Sequence, residues 1–252
     1  MSWLSWLALL AAAAGGGAAN ALAGGGTFLT FPALLFAGVP PVVSNATSTF
    51  VLTPAGYSIT WVYRDRLVHG RGFQIAMVAV AMAGALGGSE LLLHTSEHSF
   101  ERLVPYLMLG ATVIFSFAGR LRRAAASHAA RSTHTLPLLA GQFVVAIYGG
   151  YFGAGMGVLA LVLYTVAANM DVHQANGLRL LCNTLTNTVA IVVFAVRGII
   201  VWEIGLPMMV SCIAGGYCGA MLFRRLEAEK ARRVVLIYAW TITAWLFLRS
   251  LR

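Results

Sequence analysis

Apolar runs of roughly 17–25 residues, the length that crosses a bilayer as a helix, follow one another along nearly the whole chain. They fall at about 3–20, 22–38, 42–62, 73–93 and 103–119, and again at about 136–152, 154–168, 172–196, 199–223 and 234–248. The pattern predicts an all-α polytopic membrane protein. The second run of each set is short and opens with glycines: Gly24-Gly25-Gly26 in the first, Gly153 to Gly157 in the second. Pro32 lies inside the former and Pro40-Pro41 follows it. Glycine and proline so placed predict broken, partly re-entrant helices rather than plain spans.

The two sets share one register. At an offset of 131 residues Asn45 falls on Asn176, Thr53 on Thr184, Arg66 on Arg197 and Arg102 on Arg233. Gly24 then meets Gly155, Gly26 meets Gly157, Gly84 meets Gly215 and Gly88 meets Gly219. Glycine matches are cheap in such a chain, whereas polar matches at a single offset are not. A repeat in an apolar chain points to a transporter with its site between the halves. The expected organisation is a membrane repeat over 1–121, a cytoplasmic linker over 122–135 and a second repeat over 136–252.

Charge assigns sides. Cations gather at Arg64, Arg66 and Arg71, at Arg120, Arg122, Arg123 and Arg131, and at Arg224, Arg225, Lys230, Arg232 and Arg233. Cytoplasmic loops collect Lys and Arg, so all three stretches are expected there. Arg66 corresponds to Arg197, whose loop is poor in cations and is expected outside. The halves then have inverted topology, which requires an odd number of crossings in each. Five and five satisfies this; eight crossings with two re-entrant hairpins is the competing arrangement.

Composition narrows the class. The chain is 59% hydrophobic and 10% charged, against roughly 45–50% and 25% in soluble domains, and its mean hydropathy is +0.80. The net charge of +9 lies in short loops, as an orientation signal does, and does not point to nucleic acid. Cys182, Cys212 and Cys218 fall in expected spans and read as packing residues. The Ala-rich start lacks the charged region of a signal peptide and reads as the first span.

The strongest polar constellation lies on the third span of each half. Asn176, Arg179, Asn183 and Asn187 stand at i, i+3, i+7 and i+11, which stacks them on one helix face. An arginine at a helix centre costs about 2.5–3.5 kcal/mol on insertion scales, so the face should turn inward. The amides equally suit bonds to a neighbouring helix. Half one matches this face without charge: Asn45, Ser48 or Thr49, Thr53 and Tyr57, with Thr47 close by. One guanidinium opposite a hydroxyl-rich surface suits a small anion. The glycines Gly24, Gly25, Gly26, Gly155 and Gly157 precede helix starts, where free N–H groups attract anions; close helix packing accounts for them as well.

Two motifs fail in context. His94-Thr95-Ser96-Glu97-His98 matches an inverted zinc-protease pattern but sits in a short loop between spans. Gly153 to Gly157 has neither the preceding strand nor the following acid of a dinucleotide loop. No catalytic set, metal site or cofactor site emerges. Glu90 and Glu203, near span ends, suit interfacial salt bridges.

Gly24-Gly25-Gly26 with Pro32, Ser44-Asn45-Ala46-Thr47-Ser48-Thr49 and Tyr63-Arg64-Asp65 resemble the first repeat of the TauE/SafE family of sulfite and organosulfonate exporters. Ala175-Asn176-Gly177-Leu178-Arg179, Asn187 with Val189-Ala190, Gly198, Trp202 and Gly215-Gly216-Tyr217 through Arg224-Arg225-Leu226 resemble the second. The resemblance covers essentially the whole chain. It implies a multi-pass permease of the cell inner membrane that exports a small sulfur oxyanion, such as sulfite, sulfoacetate or another organosulfonate, by alternating access. Asn45, Thr47, Ser48, Thr49, Asn176, Arg179, Asn183 and Asn187 are the expected substrate contacts. The expected partners are a small anion and the lipid bilayer; a homodimer is left open, and so is a permease for another anion or a membrane-embedded enzyme or scaffold. The family commonly carries Lys where this chain has Arg179, and its second glycine cluster is usually richer than Gly153 to Gly157.

The charge pattern makes a topology prediction. A cysteine placed at Ser127 should label from the cytoplasm and one at Ser96 from outside, in a background lacking the native cysteines. Labelling of both from outside would sink the inverted scheme.

Overall fold

The computed structural model describes residues 1–22, 25–62, 70–127, 135–168, 170, 172–222 and 228–250. Among them every regular element is an α-helix: α1 Trp3–Leu22, α2 Thr27–Phe36, α3 Pro41–Val62, α4 Arg71–Leu93, α5 Glu97–Ser127, α6 Thr135–Tyr151, α7 Met156–Ala167, α8 Val172–Val196, α9 Trp202–Leu222 and α10 Ala228–Ser250. Each expected apolar run became one helix. Helices α5 and α10 begin about six residues before their apolar runs, because polar end turns carry the helix past its hydrophobic middle. Helix α5 also continues through 122–127, the start of the expected linker. Residues 128–134 of that linker, and Gly24, Arg64, Arg66, Arg131, Arg224 and Arg225, lie outside the described residues.

Helices α2 and α7 have 10 and 12 residues. At 1.5 Å per residue they rise about 15 and 18 Å, roughly half of a 30 Å hydrocarbon core. Helix α2 ends in a Schellman turn. Gly38 adopts φ 84°, its N–H reaches Leu35 O at 3.0 Å, and Val39 N–H reaches Leu34 O at 3.1 Å. Pro40 and Pro41 then prevent continuation. At the other short helix, Gly155 adopts φ 75° immediately before Met156, so the chain reverses between α6 and α7 in a conformation that suits glycine.

Among the described residues three helices, Arg71–Leu93, Glu97–Phe117 and Gln174–Val196, are by length and composition long and apolar enough to cross a membrane. The outer surface is apolar: Trp3, Ile75, Tyr106, Val144, Val196, Val210, Ile237 and Leu248 are all exposed. Large aromatics fill the interior instead, with Phe28 tilted on Phe115 and Phe31 edge-on to Phe152.

The helix pairing follows the 131-residue register. The two most extensive pairings are α1 with α9 and α4 with α6. Under that offset α1 corresponds to α6 and α4 to α9, so the first helix of each half packs on the fourth helix of the other. Small residues permit it. A Cβ on Gly88 would strike the Ile147 carbonyl, and one on the corresponding side of α9, at Gly215, would strike that of Ala14. Two hydrogen bonds join residues 131 apart: Tyr57 Oη to Thr188 Oγ1 at 2.5 Å, and Thr112 Oγ1 to Thr243 Oγ1 at 3.2 Å.

One end of the bundle is tied by polar contacts. The Glu97 carboxylate accepts Val42 N–H at 2.9 Å, joining the starts of α5 and α3. Arg197 pairs with Glu90 at 3.4 Å, and Arg249 with Glu101 at 3.6 Å. The connections α2–α3, α4–α5 and α8–α9 and the end of α10 therefore share a side. Ser96 and Ser127 lie at opposite ends of α5.

The glycine contacts give a paired test. Gly88→Val should overpack the α4–α6 contact and cost about 1–3 kcal/mol, read as a lower melting temperature in detergent. A Cβ on Gly87, one residue away, would meet nothing within 4 Å, so Gly87→Ala should be neutral or slightly stabilising.

Candidate functional site

A cavity of about 100 Å³ lies where the N-terminal ends of α2 and α7 approach the middles of α3 and α8. It has room for several waters. Gly25 and Thr27 come from the first short helix and its approach; Gly153, Gly155, Met156 and Gly157 come from the second. Leu52, Thr53 and Gly56 of α3 face Arg179, Leu180, Asn183, Thr184 and Asn187 of α8. Asn20 at the end of α1 and Phe115 of α5 complete the main walls.

The walls pair up at the 131-residue offset. Gly25 and Met156, Thr27 and Val158, Leu52 and Asn183, Thr53 and Thr184, and Gly56 and Asn187 are each 131 positions apart, and both members of each pair line the cavity. The chemistry is nevertheless one-sided. Half one supplies Leu52 and Gly56 where half two supplies Asn183 and Asn187.

The arginine is held in a defined pose. Its Nε–H and Nη2–H both donate to Asn176 Oδ1, at 3.0 and 2.7 Å. Its Nη1 edge lies over the start of α7: a Cβ on Gly157 would stand 2.5 Å from Nη1 and 3.2 Å from Asn183 Nδ2. Only glycine leaves the guanidinium this space. Helix α7 has no side-chain cap on its first turn; Met156 and Val158 N–H are held by Gly153 O and Gly155 O at 3.1 and 2.9 Å, so what the helix start brings beside Arg179 is chiefly its positive dipole end. Such an arrangement attracts a small anion and offers it neutral amide and hydroxyl partners.

The expected contacts separate into two groups. Arg179, Asn183, Asn187, Gly25, Gly155 and Gly157 line the cavity. Asn176 acts on Arg179. Gly26 packs on the Gly16 backbone and Leu52. Gly24 lies outside the described residues. The half-one polar cluster serves the framework instead. Asn45 Nδ2 donates to Tyr151 O at 3.0 Å, Thr47 Oγ1 accepts Val201 N–H at 3.2 Å, and Thr49 Oγ1 donates to Asn45 O at 2.9 Å. Ser48 is fully buried and shares a 2.6 Å hydrogen bond with Thr30 Oγ1. Sequence reasoning did not single out Asn20, Thr27, Phe115 or Met156. Asn20, a lone amide in an Ala-rich span, carried the visible signal.

An all-helical bundle, an apolar exterior and a polar cavity shared by both halves are the architecture of a membrane permease. The chain belongs to the family described as Sulfite exporter TauE/SafE, whose profile matches residues 8–246. A probable membrane transporter protein of Haemophilus influenzae is 27% identical over 230 residues, covering 89% of this chain and 88% of its own. The probable membrane transporter protein YfcA of Escherichia coli K12 is 26% identical over 218 residues, covering 86% and 78%. A probable membrane transporter protein of Xylella fastidiosa is 28% identical over 228 residues, covering 85% and 83%. No solved structure matches the chain.

The Asn176–Arg179 contact is open to a double-mutant cycle on thermal stability. Hydrogen bonds to a charged group contribute about 1.5–3 kcal/mol. Asn176→Ala should destabilise the parent by that order and have much less effect in an Arg179→Ala background. Additive losses would show that the two side chains are not coupled.

Proposed function

We propose that this permease exports a small sulfur oxyanion, sulfite or an organosulfonate, across the cell inner membrane by alternating access. The observation that carries the reading is the meeting of Arg179, the positive dipole end of α7 and the amides of α8 in one cavity lined from both halves. A charge-assisted contact between guanidinium and oxyanion is strong and planar. The neutral groups around it replace water as partners for the remaining oxygens.

Alternating access rests on two inverted repeats. In a two-fold arrangement a residue touches its own equivalent only near the axis, which accounts for the Tyr57–Thr188 and Thr112–Thr243 bonds. The exchanged pairings α1–α9 and α4–α6 follow from the same symmetry. The two short helices α2 and α7, each following a longer helix, then approach from opposite sides and bring their N-terminal ends to the shared cavity. Exchanging the conformations of the two halves moves the opening from one side to the other.

In proteoliposomes holding the purified chain, labelled sulfite should be taken up more readily than by empty vesicles. Arg179→Ala should cut anion affinity about ten- to a hundredfold with expression retained, and Arg179→Lys should keep partial activity. Parent-like transport by Arg179→Ala would place the site elsewhere and leave the arginine a snorkelling role.

A further inference from the structure

Building on the reading of the cavity as the anion site, we infer that it selects compact oxyanions with one charged head, of about four or five heavy atoms, and excludes two-headed anions. Sulfite and methanesulfonate fit this class; sulfoacetate, which carries a carboxylate beside its sulfonate, does not.

The first ground is space. An apolar cavity of 150 Å³ holds benzene, a molecule of six heavy atoms. A cavity of about 100 Å³ therefore suits a smaller guest, on the order of four or five heavy atoms by the same scale.

The second ground is charge. Arg179 is the cation among the described lining residues, and the other polar liners are neutral amides and hydroxyls. Two N–H donors of the guanidinium are committed to Asn176, so its Nη1 edge is what the pose turns toward Gly157. A second anionic head would find no cation among the described lining residues to offset its lost hydration, which disfavours it.

The third ground is the sealing of half one. Leu52 fills the position matching Asn183, and a Cβ on Gly26 would meet Leu52 Cδ2 and the Gly16 carbonyl, each at 2.6 Å. Ser48, the counterpart of Arg179, is fully buried against Thr30. Asn45 matches Asn176 three residues before it, yet its Oδ1 is buried with no hydrogen-bond partner. Half one thus keeps the amide that would hold a guanidinium and lacks the guanidinium. Among the described residues no second charged lobe opens on that side; the wall there is Leu52 and Phe115, which is apolar and suits a methyl group rather than a second charged head.

Competition against labelled sulfite uptake, with the full-length protein in proteoliposomes, tests this. Methanesulfonate should compete at concentrations similar to unlabelled sulfite. Propanesulfonate should be weaker, and sulfoacetate weaker still by about tenfold or more, although the two are of similar length. Leu52→Ala should recover competition by propanesulfonate but not by sulfoacetate, separating space from charge. Equal competition by sulfoacetate and methanesulfonate in the parent protein would overturn the selection while leaving sulfite transport intact. An active Leu52→Ala protein with an unchanged series would overturn the assignment of the size limit to this wall. Should Leu52→Ala fail to fold, the parent series still decides. Absence of labelled sulfite uptake above empty vesicles would overturn the functional reading itself.

Discussion

A guanidinium two turns into an apolar helix cannot face hydrocarbon without a large penalty, and the arrangement of the interior follows from avoiding it. Helix α8 must turn Arg179 inward. Once inside, the group needs a partner for each donor it loses from water, and Asn176, one turn earlier, takes two of them through a single oxygen. The remaining edge needs room, and Gly157 provides it by having no side chain. The short helix α7 thereby begins beside a positive charge, so its own positive end adds to that charge rather than cancelling it. Two like contributions in one small volume favour negative charge nearby, which ties the packing of α7 on α8 to the electrostatics of the cavity.

Much of the fold was legible in the sequence because the governing signal is simple. In a bilayer each helix must satisfy its own backbone, so apolar runs and helices coincide, and each run became a helix. The shortness of α2 and α7 was legible too, from Gly25 and Gly26 before the first and Gly153 and Gly155 before the second. What the apolar pattern could not show were the helix ends at Glu97 and Ala228, where polar turns extend the element into water.

The site was half legible, for a physical reason. Arg179, Asn183 and Asn187 share a face that has only one inexpensive direction to point. The hydroxyls of Thr47, Ser48 and Thr49 carry no such constraint. A threonine in a helix can satisfy itself on the carbonyl four residues back, as Thr49 does on Asn45 and Thr53 on Thr49. A serine can settle on a neighbouring threonine, as Ser48 does on Thr30. Spacing alone cannot separate a hydroxyl that lines a cavity from one that bonds within the framework. Phe115 and Met156 were beyond reach for a different reason: their place in the wall depends on how α5 and α7 come together, not on any local pattern.

The exchanged helix pairing has a consequence for how the protein is made. Helix α1 is made well before its main neighbour α9: the bond from Ser211 Oγ to Leu10 O spans 201 residues. At about 5–20 residues per second of synthesis, the first helix waits on the order of ten to forty seconds for the surface it is shaped to fit. During that time Gly15 and Gly16 can already meet Leu29, Thr30 and Gly26 of the same half, but Gly17, which packs on Cys212 and Gly216, has only lipid or the insertion machinery to rest against. Neither half can complete its own packing, since the glycine-lined groove of each is filled by a helix of the other. The two halves are mutually dependent in packing, since α1 and α4 each find their largest partner in the other half.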